Sequence, residues 1–179
     1  MHKVINAVLF QLAWFGFVAG AARGSAWWGL IPVVALAAHA LWFPATRSSD
    51  LMLGAAALLI GIALDGSFAR LGWLVYADAT PAMLGAPWWI LAMWLAFAWT
   101  LNHSLTYLQK HLGVAIALGI MAGPFSYYVA GRAWDALEFT GNPTATLAWL
   151  ALSWGVATGA LVLLARRLAT PALAVPATA

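Results

Sequence analysis

Polar side chains are rare in this sequence, and those that interrupt long apolar stretches are the ones that could do chemistry. His39 and His103 offer imidazoles, and Asn102 directly precedes the second histidine. Trp99, Asn102 and His103 follow the helical i, i+3, i+4 spacing, so they share one helix face. We predict a polar layer or pocket formed by Asn6, Gln11, His39, Trp99, Asn102 and His103.

Three interpretations of this polar layer are open. The side chains can hydrogen-bond to each other and hold helices together, they can bind a small polar group or a lipid headgroup, or the two histidines can ligate haem. No metal site is predicted, because His39 and His103 have no carboxylate or thiolate nearby and catalytic zinc takes three protein ligands. No cofactor is predicted either, with bis-histidine haem at His39 and His103 as the alternative.

Asp65 is the acid placed deepest in an apolar stretch, and Arg70 follows it on the same segment. An acid inside a membrane costs free energy unless it is paired or carries a proton. One interpretation pairs Asp65 with Arg70 or Arg132 near the end of a span. The alternative makes Asp65, with Arg70 beside it, the proton or cation site of a small transporter.

No catalytic constellation is visible, so the sequence leaves open whether the protein is an enzyme, and catalytic residues stay unknown. The chain has no cysteine, which excludes thiolate nucleophiles, disulfides and cysteine-ligated metals. Its four histidines are too few for a histidine-rich di-iron desaturase, and one deeply placed acid is too few for an intramembrane aspartyl protease. His103 and Ser104 are adjacent, so on a helix they point about 100° apart.

The composition identifies the solvent of this chain. Of 179 residues, 65% are hydrophobic and 7% are charged, whereas a soluble domain is roughly half apolar and about a quarter charged. So few charges cannot cover a surface in water, which excludes a soluble enzyme, a nucleic-acid-binding protein and a disordered chain. We therefore predict an integral membrane protein.

Apolar runs separated by short breaks predict an all-α membrane bundle of six transmembrane helices with short loops. They form a single domain over residues 1–167, followed by a disordered C-terminal tail over residues 168–179. Asp50 falls in the loop before the third span, and residues 71–86 lie at the interface or extend that span. The predicted spans are Val4–Ala22, Ala26–Phe43, Leu51–Ala69, Pro87–Leu108, Leu112–Gly131 and Thr144–Leu164.

Charges at the loop ends predict the orientation. Five Lys/Arg residues on the side of the termini against three on the other side favour cytoplasmic termini in a bacterial inner membrane. His39 and His103 then lie about 20 and 24 Å from the outer ends of their spans, which places the polar layer near the cytoplasmic side. An outer aromatic belt is predicted from Trp27, Trp28, Trp73, Trp88, Trp89 and Trp134, with Tyr127 and Tyr128 also interfacial.

Small residues at four-residue spacing predict places where helix backbones approach closely. We expect this packing within one chain, and a homo-oligomer is the alternative. The pairs are Gly16 with Gly20, Gly119 with Gly123, and Gly155 with Gly159.

A further set of residues carries a resemblance to a known family. They lie in the first, fourth and fifth predicted spans: Asn6, Gln11, Trp14, Phe15, Pro87, Trp88, Trp94, Phe97, Ala98, Leu101, Ser104, Leu105, Gly123, Pro124 and Tyr127. In these residues the chain resembles a bacterial inner-membrane family known as domain of unknown function 2878, over most of its length to about Phe139. The resemblance implies a small multi-span protein of Gram-negative bacteria, associated with gene neighbourhoods for fatty-acid modification.

These observations predict a multi-span inner-membrane protein that acts as a non-catalytic or accessory component and binds a lipid or small apolar molecule. The expected partner is membrane lipid, with a partner membrane enzyme or a second copy of the chain as alternatives, and nucleic acid is not expected. Two other functions stay open. One is a small proton- or cation-coupled transporter that uses Asp65, and the other is a membrane enzyme of fatty-acyl modification.

Overall fold

The computed structural model describes residues 1–169 of a mainly helical protein. Within this range six α-helices follow one another, and two pairs of short strands lie between them. The α-helices are α1 His2–Ala21, α2 Leu30–Leu41, α3 Pro44–Arg70, α4 Trp88–Ala98, α5 Leu112–Trp134 and α6 Pro143–Ala169. The strands are β1 Leu74–Tyr76, β2 Ala82–Met83, β3 Ala86–Pro87 and β4 Leu137–Phe139. Two 3₁₀ helices, Ala26–Gly29 and Thr106–Lys110, precede α2 and α5.

The predicted disordered tail begins inside a helix, because α6 continues to Ala169. The rest of that tail, residues 170–179, lies outside the described residues.

Four helices in the described range are long and apolar enough to cross a membrane: α1, α3, α5 and α6, with 20, 27, 23 and 27 residues. The protein is therefore a membrane protein with transmembrane helices. The six-span prediction is not confirmed, since α2 has 12 residues and α4 has 11. A 3₁₀ helix leads into α2, and α4 gives way to turns and the second 3₁₀ helix.

α4 ends at Ala98 although neither proline nor glycine follows it closely. Past this residue the backbone forms turns, and polar side chains bond carbonyl groups that a continued helix would have bonded. Asn6 Nδ2 donates to the Trp99 carbonyl at 3.1 Å, and Gln109 Nε2 donates to the Leu101 carbonyl at 3.0 Å. Lipid offers no such partners, so the break in α4 depends on side chains from α1 and from the 3₁₀ helix before α5.

α3 begins at Pro44 and not at Leu51 as the sequence predicted. Proline suits the first turn of a helix, where a backbone N–H has no helical partner in any case. Arg47 Nε donates to the Leu41 carbonyl at the end of α2, at 2.8 Å, and so joins the two helices. Asp50 consequently lies inside α3 and is fully buried, and its assignment to a loop was wrong.

Residues 71–86 form strands and do not extend α3. β1 pairs with β4 in antiparallel register, with Val75 opposite Glu138, and β2 pairs with β3 as a hairpin. Along β1, Leu74 and Tyr76 are buried while Val75 is exposed, as alternating side chains require. We call this end of the bundle the strand end, and the end that carries Met1 the amino-terminal end.

In the described part of the chain, the predicted small-residue pairs lie where one helix packs against another element of the same chain. A Cβ added at Gly16 would lie 2.9 Å from the Cα of Gly29, just before α2. One added at Gly119 would lie 2.5 Å from the Trp154 carbonyl of α6. These glycines therefore let α1 approach the turn before α2, and let α5 approach α6.

The tryptophans divide into exposed and buried ones. Trp27 and Trp28 are 60% and 65% exposed, as an aromatic belt predicts. Trp89 is 1% exposed, and its Nε1 donates to the Ala77 carbonyl at 3.1 Å, so its assignment to the belt was wrong. The same correction applies to Tyr127, which is buried.

Candidate functional site

Asp65 lies in the interior of α3 with 1% of its surface exposed. Its Oδ1 accepts hydrogen bonds from the hydroxyls of Tyr76, at 2.8 Å, and Tyr127, at 2.5 Å. Its Oδ2 accepts a further bond from Nε1 of Trp94, at 2.7 Å. We call these residues the Asp65 site. Its donors come from β1, α5 and α4, so only the tertiary fold brings them to the acid.

The donors that reach Asp65 within residues 1–169 are all neutral. Arg70 Nε donates to the Gly66 carbonyl of its own helix, at 3.1 Å. Arg132 lines a separate cleft at the strand end together with Glu138. The expected pairing of Asp65 with Arg70 or Arg132 is therefore wrong. Hydrogen-bond dipoles, and not a cation, surround this carboxyl group.

Two glycines make room for the aromatic rings around the Asp65 site. A Cβ at Gly61, one turn before Asp65, would lie 2.3 Å from Cδ1 of Trp94. Trp94 stacks on Trp154 of α6, with ring centroids 4.4 Å apart and 18° between the planes. A Cβ at Gly123 of α5 would in turn lie 2.3 Å from the Trp154 ring. This packing holds the indole N–H of Trp94 on the carboxyl group.

Tyr76 lies outside the helices that can cross the membrane. Burial, and after it the neighbouring Asp65 carboxylate, raise the pKa of the Tyr76 phenol well above its ordinary value of 10.0. The phenol therefore keeps its proton at physiological pH and remains available as a donor to Asp65.

A second buried acid, Asp50, lies towards the amino-terminal end of α3. The imidazole Nε2 of His103 donates to Asp50 Oδ2 at 3.0 Å, and Asn102 Nδ2 donates to Oδ1 at 2.8 Å. Asp50 is fully buried and His103 is 3% exposed. Asn102 Nδ2 also lies 2.9 Å from the hydroxyl oxygen of Ser49. This acid thus has a titratable base beside it, whereas Asp65 has neutral donors.

Further amide side chains bond to the broken part of α4 beside Asp50. Asn6 Oδ1 accepts bonds from the Ser104 backbone N–H, at 3.3 Å, and from its hydroxyl, at 2.7 Å. Gln109 Nε2 donates to Asn102 Oδ1 at 2.9 Å. We call the whole network the Asp50 cluster, and it comprises Asn6, Ser49, Asp50, Asn102, His103, Ser104 and Gln109.

The structure brings most of the predicted polar layer to one place. Asn6, Asn102 and His103 belong to the Asp50 cluster, and the Trp99 carbonyl accepts a bond from Asn6. His39 lies beside them, with its ring centroid 5.8 Å from that of His103. Gln11 does not join the cluster and is exposed on α1.

Sequence reasoning missed the residues that complete both sites. Asp50, Ser49 and Gln109 were read as loop residues because polar side chains mark span ends. A signal was available for Asp50, since its spacing from Asp65 is close to four helical turns and places both acids near one face of α3. The tyrosine partners of Asp65 carried no signal, because tyrosine is an ordinary belt residue. Trp94 did carry one, since an indole N–H deep in a predicted span needs an acceptor inside the bundle.

A protein-bound metal ion needs several ligand side chains close together. In the part of the chain that the structure describes, no three His, Asp or Glu side chains lie close enough together to hold a metal ion. The pair of His39 and His103 as haem ligands stays a prediction.

A comparison with protein families covers both sites with a single match. The family model described as "Protein of unknown function (DUF2878)" matches residues 3–160, a range that contains the Asp65 site and the Asp50 cluster. The chain belongs to this family. Neither a curated protein nor a solved structure matches it. The family description assigns no activity, so the function of this DUF2878 member must be argued from its two buried acids.

Proposed function

We propose that this protein is a small proton-coupled membrane transporter in which Asp65 is the proton-binding acid. One observation carries the proposal. Asp65 is buried in a helix long enough to cross a membrane, and within the described residues it is held by Tyr76, Trp94 and Tyr127 without a cationic partner. An ionisable side chain in such a position is a functional candidate by default, because burying it in a membrane protein is costly.

The chemistry of the Asp65 site suits reversible protonation. An ionised carboxylate without a counter-ion in a low-dielectric interior costs several kcal/mol, and three hydrogen bonds offset part of this cost. A neutral carboxyl needs an acceptor for its proton, which a phenol oxygen can supply once its hydroxyl rotates. Tyr76 and Tyr127 can thus serve either protonation state of Asp65, and a modest change in their position would shift the balance.

The break in α4 supports the same function. Discontinuous helices with unwound backbone at membrane depth are a recurrent feature of secondary transporters, where they form ion and substrate sites. Here α4 is regular beside Asp65 and unwinds beside Asp50. The same segment therefore contacts both buried acids of α3, and a movement of it would alter the surroundings of both.

Proton flux into vesicles tests this proposal. The protein is reconstituted into liposomes that contain a pH-sensitive dye, and a pH gradient is imposed with either Na⁺ or K⁺ as the counter-ion. We expect wild-type vesicles to dissipate the gradient faster than protein-free vesicles, and Asp65→Asn vesicles to fall back to the protein-free rate. Asp135→Asn makes the same chemical change at an exposed acid and should retain the wild-type rate. Wild-type flux equal to that of protein-free vesicles would overturn the proposal.

A second candidate, an accessory protein that binds a lipid or small apolar molecule, has its own supporting observation. An apolar groove of about 560 Å³ runs between α3 and α6 on the surface of the bundle. Its apolar lining suits an acyl chain. The residues that line it include Ile60, Leu64, Phe68, Trp149, Leu152 and Val156.

Lipid retention distinguishes this candidate. Ala160→Trp would fill the groove, whereas Ala35→Trp places the same ring on the exposed face of α2. If the groove holds a lipid, native mass spectrometry should detect it in the wild type and in Ala35→Trp but not in Ala160→Trp. Equal lipid retention in both variants would remove this candidate.

A further inference from the structure

Three of the four histidines in the chain surround one phenylalanine at the amino-terminal end. The ring of Phe43 lies 5.7 Å from that of His2, 5.4 Å from that of His39 and 5.6 Å from that of His103, between centroids. The histidines come from α1, from α2 and from the segment after α4. They are far apart in sequence, so their convergence is a property of the fold.

Exposure decreases along this group of histidines towards Asp50. His2 is exposed, His39 is half-buried, His103 is 3% exposed and Asp50 is fully buried. Both ring nitrogens of His39 are buried, and the backbone of His2 and the imidazole of His103 both lie close enough to shift its pKa.

We propose that His2, His39 and His103 form a proton-entry path from the aqueous surface to Asp50, which is a second proton-binding acid of the protein. The proposal rests on the proposed function in one respect, since it identifies where the coupling proton enters. Histidine suits such a path because one ring nitrogen can accept a proton while the other donates one.

The last two steps of the path, from His39 to His103 and from His103 to Asp50, cover short distances. The ring centroids of His39 and His103 are 5.8 Å apart, and the two imidazoles meet edge to face at 70°. His103 Nε2 is 3.0 Å from Asp50 Oδ2. A proton that arrives on Nδ1 of His103 while the Nε2 proton passes to Asp50 leaves a neutral imidazole and a neutral carboxyl group. Release of the proton from Asp50 in the reverse sense restores the starting state.

Phe43 and the surrounding charges shape this path. The phenyl ring lies 5.4–5.7 Å from the three imidazoles between centroids, a distance at which an aromatic ring can stabilise an imidazolium. Asn102 donates to Asp50 from the other side and keeps the second carboxylate oxygen occupied. The other titratable or charged side chains at this end are Lys3 on α1, Arg47 on α3, Tyr107 and Lys110 in the 3₁₀ helix, His111 before α5, and Arg166 and Arg167 on α6.

Hydrogen exchange at His103 tests the path directly. The protein is labelled with ¹⁵N-histidine and placed in lipid nanodiscs, and NMR follows the exchange of the His103 Nε2 proton with water. His39→Phe keeps an aromatic ring but removes both nitrogens, and we expect it to slow this exchange by about tenfold or more. His111→Phe changes the remaining histidine, which is exposed and outside the group, and should leave the exchange rate unchanged.

A surface variant covers the case in which His39→Phe does not fold. His2 is exposed, so His2→Gln leaves no cavity in the core. We expect this variant to slow exchange at His103 by roughly threefold. Exchange at the wild-type rate in the folded His39→Phe protein, or in His2→Gln if His39→Phe does not fold, would overturn the path.

The exchange experiment needs no transport, so the two proposals can fail separately. If vesicle flux is independent of Asp65 while exchange at His103 depends on His39, the transport proposal fails and the proton path stands. If flux depends on Asp65 while exchange at His103 ignores His39, only the path fails.

Discussion

Asp50 and Asp65 lie on the same helix, about four turns and about 22 Å apart, and within about 60° of the same face. Asp50 bonds to Asn102 and His103 beyond the end of α4, whereas Asp65 bonds to Trp94 within that helix. α3 therefore runs antiparallel to α4 and the turns that follow α4. One buried acid lies towards each end of the contact between them. Asp50 has a base beside it, whereas Asp65 has only neutral donors among the described residues.

Tyr127 and Tyr128 are neighbours in sequence with opposite roles. Tyr127 donates to Asp65, while Tyr128 is 47% exposed. We expect Tyr127→Phe to lower the free energy of unfolding by about 1.5–3 kcal/mol, the usual range for a hydrogen bond to a charged group. Tyr128→Phe should change it by less than about 0.5 kcal/mol. Thermal unfolding in detergent measures both, and equal effects would contradict the assignment.

Gly61 is needed for the position of Trp94. A methyl group there would lie 2.3 Å from the indole, so Gly61→Ala should displace the ring and its bond to Asp65. The expected loss is about 1–3 kcal/mol of stability, accompanied by a shift in tryptophan fluorescence. Gly113→Ala is the matched control, because a Cβ there meets nothing within 4 Å. Tolerance of Gly61→Ala with unchanged fluorescence would refute this packing.

Asp50 and His103 should be energetically coupled. Removing one partner leaves the other buried without its pair, whereas removing both leaves no unpaired charge. In a double-mutant cycle of Asp50→Asn and His103→Gln we expect a coupling energy of about 1.5–3 kcal/mol. Chemical unfolding of the four proteins in mixed micelles gives the value, and strict additivity would show that the contact carries no energy.

The raised pKa of Tyr76 makes stability depend on pH under alkaline conditions. Above about pH 10 the unfolded chain releases the phenol proton while the folded protein retains it. The unfolded state then binds fewer protons, so the free energy of unfolding falls as pH rises. Tyr76→Phe should flatten this fall, and Tyr107→Phe, which removes an exposed phenol, should not. Unfolding midpoints measured from pH 8 to about pH 11 distinguish the two variants.

Cysteine accessibility tests the predicted orientation in a chain that has no cysteine of its own. Exposed positions for single cysteines are Ala45 and Lys110 towards the amino-terminal end and Gly141 at the strand end. If the termini are cytoplasmic, an impermeant reagent added to intact cells should label the cysteine at position 141 and spare the other two. The reverse pattern would invert the topology.

Composition and local pattern by themselves determined that this chain lives in a membrane. Whether a protein folds in water or in lipid depends on its overall composition. A chain with 65% hydrophobic and 7% charged residues cannot cover its surface with polar groups and therefore folds in lipid. Long uninterrupted apolar runs likewise predicted α1, α3, α5 and α6 to within a few residues at most ends, and Asp65 stood out as an acid inside one of them.

Only the tertiary structure decided where the remaining polar residues go. The sequence placed Asp50 in a loop because burying a charge costs free energy. His103 and Asn102, more than 50 residues away, donate hydrogen bonds to Asp50 and offset this cost. The break in α4 follows the same logic, since Asn6 replaces a helical bond that no local pattern could show to be missing. Local sequence reports the cost of burying a polar group, and the long-range partner that offsets this cost exists only in the fold.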